Sequence, residues 1–123
     1  MAGQGADELF DGLLNVWQTG PGSAVSAMLT LDYVGHMLHV DEGERDREGY
    51  PGWIDAFRSR NPGTRFHIVE RLVVGERVFS RIEATRASAD GATLISHGMN
   101  LSRFLDGLIA EEWAIWTEWR ELP

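Results

Sequence analysis

Glu111 and His97 are the first residues to invite a chemical reading, because both fall among apolar neighbours in strand-like sequence near the end of the chain. A carboxylate on an apolar face is costly unless it is paired, hydrogen-bonded or neutral. Desolvation of that kind raises a carboxyl pKa toward the range useful in general acid/base chemistry. Glu111 is therefore the expected proton-transfer residue, with a raised pKa; the competing reading is a rim carboxylate paired with an arginine such as Arg103. His97 is either a pocket residue or a satisfied core histidine. His36, three positions after Tyr33, brings a further polar group from the other half of the chain; a surface histidine is its competing reading. The expected ligand-lining set is Trp17, Trp53 and Trp113 with Tyr33, Phe57, Met99 and Thr117, although core packing or a dimer interface competes for the tryptophans.

Composition removes several alternatives. With no cysteine and no lysine, thiol nucleophiles, thiolate-bound metals, disulfides and Schiff-base chemistry are out of reach. His36 and His39 stand too close for a helical zinc pair and no H-E-x-x-H motif occurs, so no metal site is expected. Serine-hydrolase, Walker and dinucleotide-binding motifs are also missing. A net charge of −8 repels nucleic-acid phosphates and anionic membranes, and no apolar run is long enough to span a bilayer, so neither is an expected partner. A single domain over residues 1–123, located in the cytoplasm, is the expectation.

The elements that must position these residues change period halfway along the chain. Three- and four-residue apolar spacing predicts a helix over 6–19, a second short helix from Ser23 to about Leu29, and a third from Gly49 to Asn61. Residues 32–36 read as an irregular exit, and 41–47, with six charged residues, as a solvated loop. Segments 66–74, 78–87, 93–104 and 108–119 read as strands separated by turn signals, a four-stranded antiparallel meander. The fold class is therefore α+β, with helices covering one face of a curved sheet.

The register of the last hairpin decides which polar groups face the core. A two-residue turn at Asp106-Gly107 would mix polar and apolar side chains on both faces. A three-residue loop with a glycine bulge would place Leu101 opposite Glu111 and collect Ile95, His97, Met99, Leu101, Ile109, Glu111, Trp113 and Ile115 on one face. That apolar set is the expected pocket face, with His97 about 13 Å from Glu111 along the sheet. Trp116, Ala110 and Ala114 then lie on the other face, the expected interface of a homodimer. The choice of Glu111 over Glu112 rests on this register alone.

The sequence also resembles a known family. Tyr33-Val34-Gly35-His36, Glu48-Gly49-Tyr50 with Trp53, Phe57 and Pro62, Val74-Gly75-Glu76-Arg77-Val78, and the run from Asp106 to Trp113 resemble the SnoaL-like polyketide cyclases. These belong to the nuclear transport factor two-like superfamily of cone-shaped α+β barrels, in which three helices close a curved sheet around one apolar pocket. The resemblance implies an intramolecular aldol-type cyclisation without metal or cofactor, an apolar carbonyl or aromatic ligand, and a homodimer. It places Glu111 where the catalytic aspartate stands, with His97 as the upstream histidine. Thr117 departs from the aspartate that many relatives carry there. A non-catalytic ligand-binding or assembly module of the same fold is the alternative.

Overall fold

The computed structural model describes residues 5–123. Helix α1 (Ala6–Thr19) turns the stripe of Leu9, Phe10, Leu13, Leu14 and Trp17 onto the interior; Phe10 and Leu13 are completely buried, and Gly20 ends the helix. A 3-10 helix, Gly22–Met28, is tied to α2 (Tyr50–Arg60) through the Gly22 N–H, which donates to Asp55 Oδ1 at 3.0 Å. Pro51 sits in the first turn of α2, where a missing N–H breaks no helical bond. No helix among the described residues is long and apolar enough to cross a membrane.

Seven strands form one mixed sheet: β1 (Leu29–Met37), β2 (Glu44–Asp46), β3 (Arg65–Val74), β4 (Arg77–Ala87), β5 (Thr93–Leu105), β6 (Leu108–Trp116) and β7 (Arg120–Glu121). Their order is β2-β1-β6-β5-β4-β3, with β7 alongside β5. The three helices pack on this sheet, which curves without closing, so the α+β cone expected from the sequence is the observed architecture. The meander β3 to β6 forms as the turn signals require, although its last strand stops at Trp116.

Two readings are corrected. The irregular exit at 32–36 is part of β1, which runs parallel to β6, with Val34 opposite Glu111 and His36 opposite Trp113. A register shift between Leu29 and Val34 breaks the alternation that would have marked it as a strand. The charged run 41–47 contributes β2, antiparallel to β1, and turns Arg45 inward between exposed Glu44 and Asp46.

The β5–β6 hairpin differs from expectation in register and in orientation. Its tip is a two-residue turn, with Asp106 at φ 52° and Gly107 at φ 79°, the signature of a type I′ turn. Leu105 pairs with Leu108 and Phe104 with Ile109; Ala110 is then an extra residue, and beyond it Arg103 faces Glu111 and Leu101 faces Trp113. The bulge returns side chains to two clean sets, but the set on the concave side is Ser96, Gly98, Asn100, Ser102, Glu112, Ala114 and Trp116. Met99 and Ile115, each 47% exposed, lie on the outside. On β5 the concave face is kept small or polar by Ser96, Gly98, Asn100 and Ser102, which leaves room for the Trp116 indole and the helix side chains.

Candidate functional site

Between the helices and the concave face lies a cavity of about 490 Å³, a size typical of small-molecule sites. Trp17 of α1 and Trp53 and Phe57 of α2 form one wall; Phe66, Ile82, Ala114 and Trp116 form the other. Gly98 makes room for Trp116, since a Cβ there would lie 2.4 Å from the indole. His39, Arg60, Asn61, Glu118 and Trp119 line the cavity as well. His39 Nδ1 accepts the Trp116 backbone N–H at 3.2 Å, which leaves its hydrogen on Nε2, and partial burial pushes its pKa down.

Glu112 is the polar centre of this cavity and is 1% exposed. Tyr33 Oη donates to its Oε1 at 2.8 Å and Tyr50 Oη to the same oxygen at 3.2 Å. Trp17 Nε1 donates in turn to Tyr50 Oη at 3.0 Å. Burial, and next the Glu112 charge, raise both tyrosine pKa values, so both hydroxyls keep their hydrogens. Oε2 is less well supplied. Asn100 Nδ2 reaches it only at 3.4 Å, and Ser102 Oγ lies 3.1 Å away but also 2.7 Å from Asn100 Oδ1. One hydroxyl hydrogen cannot serve both acceptors. If it goes to the nearer Asn100, Oε2 faces a serine lone pair and is the better placed of the two oxygens to take a proton.

Arg45 lies beside this group. Its guanidinium sits 4.2 Å from the Tyr50 ring centroid, 5.5 Å from Trp53 and 5.6 Å from Trp17. Burial works against its charge, and the oxygens of Tyr50, Tyr33 and Glu112 more than offset this, so it stays protonated. Cation–π contacts contribute about 0.5–2 kcal/mol each, against a desolvation cost of several kcal/mol for a buried ion. Gly35, opposite Arg45 on β1, leaves the space for it: a Cβ there would lie 2.5 Å from Tyr33 Oη and 3.1 Å from Arg45 Nε.

The SnoaL-like domain family model matches residues 10–112. The chain belongs to the SnoaL-like domain family. No curated protein matches it in sequence. Among solved structures, it is similar to IdmH, a candidate polyketide cyclase from Streptomyces antibioticus, with 21% identity, 92% of each chain covered and a TM-score of 0.80. A candidate polyketide cyclase from Acidithiobacillus ferrooxidans is similar at 20% identity over 96% of this chain and 92% of that one, with a TM-score of 0.78. An LEH-like epoxide hydrolase of M. tuberculosis is 16% identical over 91% and 82%, with a TM-score of 0.74.

In this SnoaL-like chain Trp17, Trp53, Phe57 and Thr117 line the cavity, and Tyr33 meets it through Glu112. The other expected residues lie on the convex side. Glu111 faces out, where His36 Nε2 lies 2.9 Å from its Oε2 and Arg103 donates to its Oε1 at 3.3 Å, the arginine pairing that competed with its pocket placement. Its pKa is lowered by the His36 hydrogen bond and by Arg103, not raised. His36 stacks on Trp113 at 5.4 Å and lies 3.4 Å from Glu44. His97 stands between Glu83 and Arg120, and Met99 is exposed. Trp116, Ala110 and Ala114, expected at a dimer interface, lie on the inner side. Sequence reasoning missed Arg45, Tyr50, Asn100, Ser102 and Glu112 as a cluster; the run of small residues Ser96, Gly98, Asn100 and Ser102 at alternate positions was the available signal.

A second depression of about 580 Å³, between α1 and β3, is lined by the Asp11–Arg71 ion pair, His67 and Glu70 and does not touch Glu112. Among the described residues no three His, Asp or Glu side chains converge to hold a metal ion.

Proposed function

We propose that this SnoaL-like chain is a cofactor-independent cyclase or isomerase for a polyketide-type or other apolar carbonyl compound, with Glu112 in the proton-transfer role first given to Glu111. The observation that carries this reading is a buried carboxylate in an aromatic cavity, with Oε1 held by two tyrosines and Oε2 undersupplied with donors. A carbon between two carbonyls is acidic enough for one carboxylate to deprotonate it. The proton goes to Oε2, which then donates to Ser102 Oγ, while the serine hydroxyl continues to donate to Asn100 Oδ1. The charge of Arg45 stabilises the enolate, and the aromatic walls hold the substrate in an attack-ready fold. The similarity in fold to candidate polyketide cyclases supports this reading; the epoxide-hydrolase-like relative has the same fold, so the choice rests on the site.

Glu112→Gln keeps the shape and removes the proton acceptor. With a β-dicarbonyl substrate, turnover should fall about 100-fold or more while ligand affinity changes little. Glu111→Gln should leave turnover near wild type. Full activity in Glu112→Gln overturns the proposal. A second reading, a ligand-binding module, is favoured by the four protein donor groups around Glu112, which also describe a structural knot. It requires wild type to bind such ligands without converting them. We also infer a homodimer through the convex sheet face around Met99 and Ile115, in place of the Trp116 face.

A further inference from the structure

We propose that Arg45 seats an acidic group of the ligand, so that the cavity takes an apolar molecule carrying one carboxylate. This deepens the functional reading and rests on its assignment of the cavity as a ligand site. Arg45 retains 6% of its exposure and lines the cavity. Its Nε and Nη1 are buried without a hydrogen-bond partner. No carboxylate among the described residues lies within ion-pair distance of it. The rings of Trp17, Tyr50 and Trp53 meet the guanidinium by its faces and so take up none of the Nε and Nη1 hydrogens.

The surroundings select the kind of acid. A residue needed only to fill space between three rings has no use for a charge, and a cation with spare donors beside an aromatic cavity is suited to a planar carboxylate. A dianion fits poorly. Arg45 is the buried cation of the cavity, whereas Arg60 is exposed at the end of α2; the Tyr33 and Tyr50 hydroxyls are committed to Glu112, and the Glu112 charge repels a second negative charge. The rest of the ligand meets Phe57, Phe66 and Trp116, which offer surface for an apolar ring system.

Calorimetric titration with 2-naphthoate and with its uncharged methyl ester tests this. Wild type should bind the acid about tenfold or more tightly than the ester, the scale of one charge-assisted hydrogen bond. Arg45→Met should reduce that preference below about twofold, with ester affinity nearly unchanged, and Arg45→Lys should keep part of it. Glu112→Gln, which removes a neighbouring negative charge, should strengthen acid binding and leave ester binding as it was. Equal affinity for acid and ester, a preference that survives Arg45→Met, or no binding of either compound at about 1 mM overturns the proposal. If Arg45→Met does not fold, the wild-type ratio and Arg45→Lys decide. An acid preference beside undiminished turnover in Glu112→Gln refutes the proton-transfer role alone, and its absence beside lost turnover refutes the carboxylate seat alone.

Discussion

Removing the Tyr33 hydroxyl probes the polar floor of the cavity through stability, without any substrate. Tyr33 is 2% exposed, and its hydroxyl donates to Glu112 Oε1 at 2.8 Å. Tyr33→Phe keeps the ring and its packing on Tyr50 at 5.3 Å, but it takes a donor from a carboxylate that is 1% exposed. Hydrogen bonds to charged groups contribute about 1.5–3 kcal/mol. Tyr50 still donates to the same oxygen, so the lower part of that range applies, about 1.5–2 kcal/mol. For a chain of this length that corresponds to a fall in Tm of roughly 5–10 °C. Urea and thermal unfolding of wild type, Tyr33→Phe, Glu112→Gln and the double variant measure it. Glutamine keeps a neutral acceptor, so the cycle reads the charge-assisted part of the bond, about 1 kcal/mol. If Tyr33→Phe costs the same in both backgrounds to within about 0.3 kcal/mol, the hydroxyl does not hold Glu112 and the description of the floor is wrong.

Gly98→Ala forces a Cβ to within 2.4 Å of the Trp116 indole, so it should destabilise the fold by about 1–3 kcal/mol in urea titration and alter tryptophan fluorescence. Glu111 should contribute to stability on the acid side, because His36 and then Arg103 hold its folded pKa below the ordinary 4.5. That contribution is complete above the unfolded value and is lost as pH falls through the lower folded one, so the Tm gap between wild type and Glu111→Gln should narrow below about pH 4.5, and a constant gap contradicts the assignment. Ile115→Arg should shift the light-scattering mass from dimer to monomer with little change in the cavity, whereas Trp116→Arg should disturb ligand binding.

The helices were legible because Leu9, Phe10, Leu13, Trp17 and Ile54 repeat at helical spacing, and the meander because Gly75, Gly91 and Gly107 punctuate it. Alternation along β5 and along β6 beyond Ala110 separated two faces, although Ile109, expected beside Glu111, lies on the other one, and alternation carries no sign: it does not say which face turns inward. Taking the more apolar face as the interior fails when helices supply much of the core and the inner face of β5 carries Ser96, Gly98, Asn100 and Ser102 beside a cavity. Ala110 compounded the difficulty, since a bulge has no composition of its own. Arg45 was hidden by Glu44, Asp46 and Arg47, neighbours that made a buried charge look like one more solvated one. The cluster around Glu112 draws on β1, α2, β5 and β6, which local sequence cannot bring together.

The parallel pairing of β1 with β6 also sets when the site comes into being. Tyr33 and Glu112 are 79 positions apart, and no shorter segment contains both halves of the bond. Closing a loop of that length costs about 4 kcal/mol in chain entropy beyond a constant term. The meander can zip from its hairpins without β1, because each of its pairings joins strands adjacent in sequence. β1 has no such local partner apart from the three residues of β2. During synthesis, therefore, Tyr33 waits for β6 to emerge before its hydroxyl finds Glu112. The cavity is a late product of folding, and a chain stalled before that step exposes both a charged edge and an unpaired carboxylate.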